Sequence, residues 1–159
     1  MILKNKGEGL LLNYDQFSAC YDSFTDDVDY SLRSKRILEI FEKYDKKPTL
    51  LLDLACGTGN FSFELAKENI QVIGVDCSEG MLSIAMNKLD LGQSNPMFLN
   101  QRAEELDLFG TVDGAICMLD SLNHITDYED ISKAIEKVSL FLTLTPSINI
   151  VKYFQAIPL

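Results

Sequence analysis

The chain has 159 residues, 47% of them hydrophobic and 24% charged, and a net charge of −10. That length suits one domain with a real core. The acidic balance argues against a nucleic-acid backbone as partner, and no apolar run is long enough to span a membrane. The start, MILKNKGEG, lacks an apolar signal core and carries an early acid, which argues against export. The four cysteines (Cys20, Cys56, Cys77, Cys117) include no C-x-x-C pair, and His124 is the single histidine, so no zinc or other metal site is expected. Three of the thiols fall at or near expected strand ends, where a free cysteine acts as a small hydrophobe, and a reducing, cytoplasmic setting follows.

In chain order, residues 1–13 read as a flexible start. Residues 14–30 are rich in aromatics (Tyr14, Phe17, Tyr21, Phe24, Tyr30) interleaved with acids. They read either as a helix packing its rings on the core or as an aromatic lid over a pocket, since tyrosine has an apolar body and a polar tip. Residues 30–44 predict an amphipathic helix with Ile37, Leu38, Phe41 and Tyr44 inward, its RSKR stretch being a solvated face. A strand is expected over 49–54 and a helix over 60–68, burying Phe61 and Leu65, with Asn69 as its stop. A second strand over 71–75 is closed by Asp76. Ser78 caps the next helix, whose inner face is Met81, Leu82, Ala85, Met86 and Leu89. A third strand is expected over 97–100 and a fourth over 112–118. Residues 126–129 (TDYE) have the spacing of a capping box. The helix they open buries Ile131, Ala134, Ile135, Val138, Phe141 and Leu142. A fifth strand is expected over 147–154. Strand and helix in alternation predict an α/β fold, a parallel sheet with helices on both faces.

The stretch LLDLACGTGN, residues 51–60, carries the chemistry. It is a buried strand that turns sharply at two glycines and feeds a helix, the place where open α/β sheets bind nucleotides. A dinucleotide site wants G-x-G-x-x-G/A, and the sixth position here is Ser62. Asp53, just before the turn, would repel a pyrophosphate and welcome an ammonium group. Asp76 ends the next strand 19 residues after Gly57 and can accept from both hydroxyls of a ribose. A ligand with a ribose, a cationic amino group and no phosphate fits, and S-adenosylmethionine has those features.

At these motifs the chain resembles the class I S-adenosylmethionine-dependent methyltransferases, of a bacterial small-molecule type. Residues 51–60 resemble their first signature, VIGVDCSEGML at 72–82 their second, and VDGAICMLDSLNHI at 112–125 their fourth. Residues 14–30 resemble the N-terminal segment of one bacterial subgroup. The likeness runs from about residue 14 to 142. It implies a Rossmann-like three-layer sandwich over 46–159, incomplete at its C-terminus, preceded by a helical cap over 1–45. It also implies S-adenosyl-L-methionine as cofactor and a small-molecule acceptor. Asp53 would face the methionine ammonium, and Ala55, Cys56 and Gly57 would offer backbone to the same moiety. Asp76 would hold the ribose, Cys77 and Met81 would flank the adenine (Met81 reads equally as core), and Leu119 and Asp120 would border cofactor and substrate. Tyr14 and Tyr21 would close over the cofactor.

Two departures stand out. Arg102 occupies the position where the family carries an acid for the adenine amino group. Arginine has no acceptor, which leaves the Ala103 backbone and the Glu104 side chain. The chain also stops after about five of the family's usual seven strands. A shortened sheet would leave an edge able to pair with a second copy through residues 148–154. If a base is needed, Asp120 and His124 are the candidates. Three functions follow: a methyltransferase, a cofactor-binding fragment without turnover, and an NAD-dependent oxidoreductase, against which Asp53 and Ser62 weigh.

Overall fold

The computed structural model describes residues 21–90, 92, 95–119, 125 and 127–143. Element order is α1 (Tyr30–Lys43), β1 (Leu50–Leu54), α2 (Asn60–Lys67), β2 (Gln71–Asp76), α3 (Glu79–Asn87), β3 (Met97–Asn100), a 3-10 turn (Ala103–Glu105), β4 (Gly114–Ile116) and α4 (Tyr128–Phe141). The strands form one four-stranded sheet in the order β3-β2-β1-β4. Each neighbouring pair is parallel, with Leu51 opposite Val72 on one side and Gly114 on the other. Parallel strands need crossovers, and the helices between them put apolar faces on both sides of the sheet.

Alternation along β1 divides the core. Leu51 packs with Ile37, Phe61, Leu65, Val72 and Ile116, against α1 and α2. Leu52 and Leu54 point the other way, into a cluster with Val75, Leu106, Leu108 and Val112 that Val138 and Phe141 of α4 cover. Leu51, Leu52 and Leu65 are fully enclosed. Burying a side chain of this size contributes about 1.5–3 kcal/mol, so the centre of β1 is anchored from both faces. Asp53 lies on the Leu51 face, one residue from the strand's carboxyl end.

Local chemistry sets the helix ends. The Asp29 carboxylate accepts from Leu32 N at 2.9 Å and starts α1, and Ser78 accepts from Met81 N to start α3, as expected. At α4 the cap is Asp127, whose carboxylate accepts from Glu129 N, rather than the threonine before it. Aspartate offers a charged acceptor one position later, next to the helix's positive end.

Several expectations are corrected. β4 is three residues long, because Val112 leaves the ladder to bridge Leu142 instead. Met86 is 60% exposed, so the inner face of α3 is Met81, Leu82 and Ala85 alone. Along α4 only Ala134 is fully buried; Ile131, Ile135, Val138, Phe141 and Leu142 are half-covered, and Leu140 is exposed. Cys77 is exposed, and neither Cys56 nor Cys117 is fully buried, since each follows a strand at its open carboxyl end. The fifth strand expected over 147–154, and the pairing through it, lie outside the described residues.

Candidate cofactor site

The glycine turn starts where β1 runs out. Ala55 and Gly57 both take φ of +56°, and Gly59 takes +78° as the N-cap of α2. A left-handed alanine costs about 1 kcal/mol, and such strain collects at functional sites. Leu119, just beyond β4, is also left-handed at φ +53°, as are Asp45 and Asn69 away from the turn. Ala55 and Leu119 face one concavity at the carboxyl ends of β1 and β4. Its lining is Tyr21, Tyr30, Asp53, Ala55, Cys56, Gly57, Thr58, Asn60, Phe61, Met118 and Leu119, and its enclosed part is about 30 Å³.

Asp53 is 2% exposed and accepts from Ser62 Oγ at 2.6 Å. Burial pushes its carboxyl up to about 7; Ser62 opposes the rise and the nearby Asp76 charge adds to it. Ser62, at the sixth position of the glycine motif, thus holds an acid rather than making room for a phosphate.

Asp76 closes β2 and reaches across to the turn. One carboxylate oxygen accepts from Gly57 N at 2.8 Å and the other from Ser78 N at 2.8 Å. Burial raises its pKa, and these N–H groups oppose the rise. A carboxylate oxygen can accept more than one bond, so both retain capacity toward a diol. Cys56 directs its sulfur down onto β2, where a Cβ on Gly74 would lie 3.0 Å from it. Its backbone therefore faces the concavity, and burial holds the thiol well above its usual pKa, so it is a neutral packing group.

Where the resemblance places the adenine contact, Arg102 Nε donates to Glu104 Oε1. Glu104, the side-chain acceptor that the resemblance leaves there, is thus engaged by Arg102. Ala103 opens the 3-10 turn beside it. Met81 is 3% exposed and packs in the interior. Tyr14, Asp120 and His124 lie outside the described residues. Among the described residues no group of His, Cys, Asp or Glu is arranged to hold a metal ion, and no helix is long and apolar enough to cross a membrane.

The Methyltransferase domain family model matches residues 51–143, more than half of the chain. The chain belongs to that methyltransferase family. It is 34% identical over 134 residues to YqeM of Bacillus subtilis (strain 168), a methyltransferase by name, covering 84% of this chain and 51% of YqeM. It resembles the crystal structure of an S-adenosylmethionine-dependent methyltransferase from Clostridium acetobutylicum ATCC 824 at 35% identity and TM-score 0.70, covering 82% of this chain and 53% of that one. Magnesium protoporphyrin IX methyltransferase from Synechocystis PCC 6803, solved with bound S-adenosylmethionine, is 27% identical at TM-score 0.57, covering 70% and 54%. The chain spans about half the length of the curated relatives it matches.

Within this methyltransferase domain the structure gathers Tyr21, Asp53, Ala55, Cys56, Gly57 and Leu119 at one concavity, with Asp76 tied to its rim through Gly57 N. The lining also includes Thr58, Asn60, Phe61 and Met118, to which the sequence gives no role at the site. Thr58 and Asn60 sit inside the glycine motif, where the glycines and Asp53 carry the readable chemistry. Tyr30, one of the aromatics the sequence offers either as core or as a lid, lines the concavity and also opens α1. Its phenol oxygen is buried and has no hydrogen-bond partner among the described residues, while its ring meets Phe61 edge-on at 4.9 Å.

Proposed function

We propose that the chain binds S-adenosylmethionine across the carboxyl ends of β1 and β2 and transfers its methyl group to a small-molecule acceptor. The observation that carries this reading is the buried Asp53, beside Asp76, at the carboxyl ends of β1 and β2. A cationic amino group restores the charge that burial has suppressed on Asp53, while a ribose diol satisfies the lone pairs Asp76 has left. The donor set fits the cofactor in other respects. The strained turn at Ala55 and Gly57 exposes backbone, Tyr30 brings an unmatched hydroxyl, and Met118 and Leu119 provide an apolar wall.

The bound cofactor supplies a methyl group on a positively charged sulfur, so that the leaving group is activated in advance. What remains for the protein is orientation and exclusion of water. Asp53 fixes the amino end, Asp76 the sugar, and Tyr21 covers the turn. Asp120 and His124 are the residues we assign to the acceptor side, with His124 as base where one is required. Cys77 and Ala103 would border the adenine. Glu104, engaged by Arg102, would be a poor acceptor for its amino group, so adenine selectivity should be modest. The free thiols suit a reducing, cytoplasmic setting.

A chain that binds cofactor without turnover is the second reading. A pyridine dinucleotide is disfavoured by Asp53 and by Ser62, which is committed to it. Calorimetric titration with S-adenosylhomocysteine tests the site. Unaltered protein should bind, and Asp76→Ala should bind at least tenfold more weakly, given about 1.5–3 kcal/mol for hydrogen bonds to a charged group. No heat from the unaltered protein at millimolar ligand would sink both readings. Turnover against a panel of small acceptors separates them.

A further inference from the structure

The glycine turn is held from outside by two charged residues, Asp22 and Lys88, to which the sequence gives no role at the site. Residues 21–24 form a helical turn ahead of α1. From it Asp22 reaches the turn: one carboxylate oxygen accepts from Thr58 Oγ1 at 2.6 Å and from Asn60 Nδ2 at 3.0 Å. Its other oxygen meets Lys88 Nζ at 2.7 Å. Lys88, at the C-cap of α3, also donates to Thr58 O at 3.1 Å and to Asn60 Oδ1 at 2.7 Å. Three segments far apart in sequence therefore meet at Thr58 and Asn60. Burial alone would raise the Asp22 pKa, but Lys88, Thr58 and Asn60 together lower it, so it is ionised at neutral pH and the latch is charge-assisted.

The neighbour of Asp22 is Tyr21, which lines the concavity and stands 4.0 Å from where a Cβ on Gly57 would be. Gly57 N is the donor to Asp76. The latch thus acts on two ligand-facing elements at once, the ring above the turn and the turn itself.

We propose that Asp22, clamped by Lys88, is a positioning residue that fixes Tyr21 over the glycine turn and so sets cofactor affinity; this rests on the cofactor site proposed above. The ion pair is partly solvent-exposed and would contribute little as a surface bridge. Its effect is geometric, because it removes the freedom of a segment that otherwise has to be ordered each time ligand binds.

The test is a double-mutant cycle read by S-adenosylhomocysteine affinity. Asp22→Ala should weaken binding about tenfold, and Asp22→Asn, which keeps an acceptor for Thr58, should recover part of that loss. Lys88→Met should weaken binding less than Asp22→Ala, and the two together should be no worse than Asp22→Ala alone. The decisive arm is Tyr21→Ala: in that background Asp22→Ala should cost nothing further. A merely structural residue would instead lower the melting temperature and leave affinity untouched, or its loss would add in full to that of Tyr21→Ala; either result overturns the latch. Should Asp22→Ala fail to fold, the same cycle between Lys88→Met and Tyr21→Ala decides the matter. If the unaltered protein does not bind, the cofactor reading falls and the latch with it. If it binds and Asp22→Ala binds equally well, only the latch falls.

Discussion

Asp53 is a carboxyl buried on the face of a strand whose other residues are leucines, and its environment sets up an opposition between stability and binding. Its pKa, raised to about 7, means that near neutrality the free protein carries it partly protonated. A bound ammonium favours the ionised form, so binding should release a proton. Affinity for S-adenosylhomocysteine should therefore rise with pH up to about 7 and level off above it. Titrations in buffers of different ionisation enthalpy would show the released proton, and an affinity flat from pH 5 to 8 would refute the assignment. Asp53→Asn keeps an acceptor for Ser62 and cannot ionise. It should raise stability at pH 8 by about 1–3 kcal/mol, the cost of leaving a buried polar or charged group poorly matched, and reduce affinity at least tenfold. Tyr30 poses the same opposition in neutral form. Tyr30→Phe keeps the ring on Phe61 and deletes a hydroxyl that has no partner among the described residues. Urea melts should show stability unchanged or up by about 1 kcal/mol, while affinity falls about threefold to tenfold. A loss of stability with affinity intact would mean the hydroxyl is matched within the fold and not by ligand.

Between elements, the third strand supports the glycine turn from beneath. A Cβ on Gly59 would lie 2.7 Å from the Phe98 ring, and one on Gly74 would lie 2.7 Å from the same ring. Phe98 of β3 is thus seated across β2 and against the turn at the start of α2, with Phe63 beside it at 5.8 Å. Gly74→Ala should destabilise by about 1–3 kcal/mol through overpacking, and Phe98→Leu in that background should recover much of the loss. Chemical denaturation of the four proteins in that cycle measures it, and additive losses would show that the ring is not what excludes the methyl group. Nothing in the sequence announces this contact. Gly74 read as an ordinary strand residue, and Phe98 lies 24 positions downstream, a pairing that only the parallel register of β2 and β3 creates. By contrast β1, β2 and β3 were legible nearly to the residue, because each is a short apolar run bounded by glycine, proline or an acid. Asp53 and Asp76 were legible because carboxylates at strand ends have few structural uses. Asp22 and Lys88 were not, since their meaning comes from side chains that converge from three segments.

For the molecule as a whole, these carboxylates predict an unusual dependence of stability on pH. At the amino end of the sheet, far along β1 from the site, Asp113 Oδ2 accepts from Thr49 N at 2.7 Å, Thr49 Oγ1 at 2.9 Å and Leu50 N at 3.0 Å. Burial alone would raise its pKa, but these bonds from Thr49 and Leu50 lower it. A depressed carboxyl stabilises the fold above its unfolded value of 3.8 and loses that contribution as pH falls below it. Asp22 acts in the same sense. Asp53 and Asp76 act in the opposite one. A raised carboxyl contributes stability that is complete below the unfolded value and is lost as pH climbs through the folded one, here between about pH 4 and 7 for Asp53. The self-repulsion of a chain with net charge −10 at pH 7 adds to that decline. Melting temperature of the ligand-free protein should therefore peak near pH 4–5 and fall toward pH 8, whereas many proteins are most stable between about pH 5 and 8. Asp53→Asn should flatten the upper side of the profile and leave the acid side alone, and Asp113→Ala should flatten the acid side without changing S-adenosylhomocysteine affinity. Saturating ligand should lift the neutral side most, because it supplies the cation that the Asp53–Asp76 pair lacks. Thermal melts from pH 3 to 8 measure all of this, and a melting temperature that rises steadily to pH 8 without ligand would show that the two buried acids are not held in the state the structure assigns them.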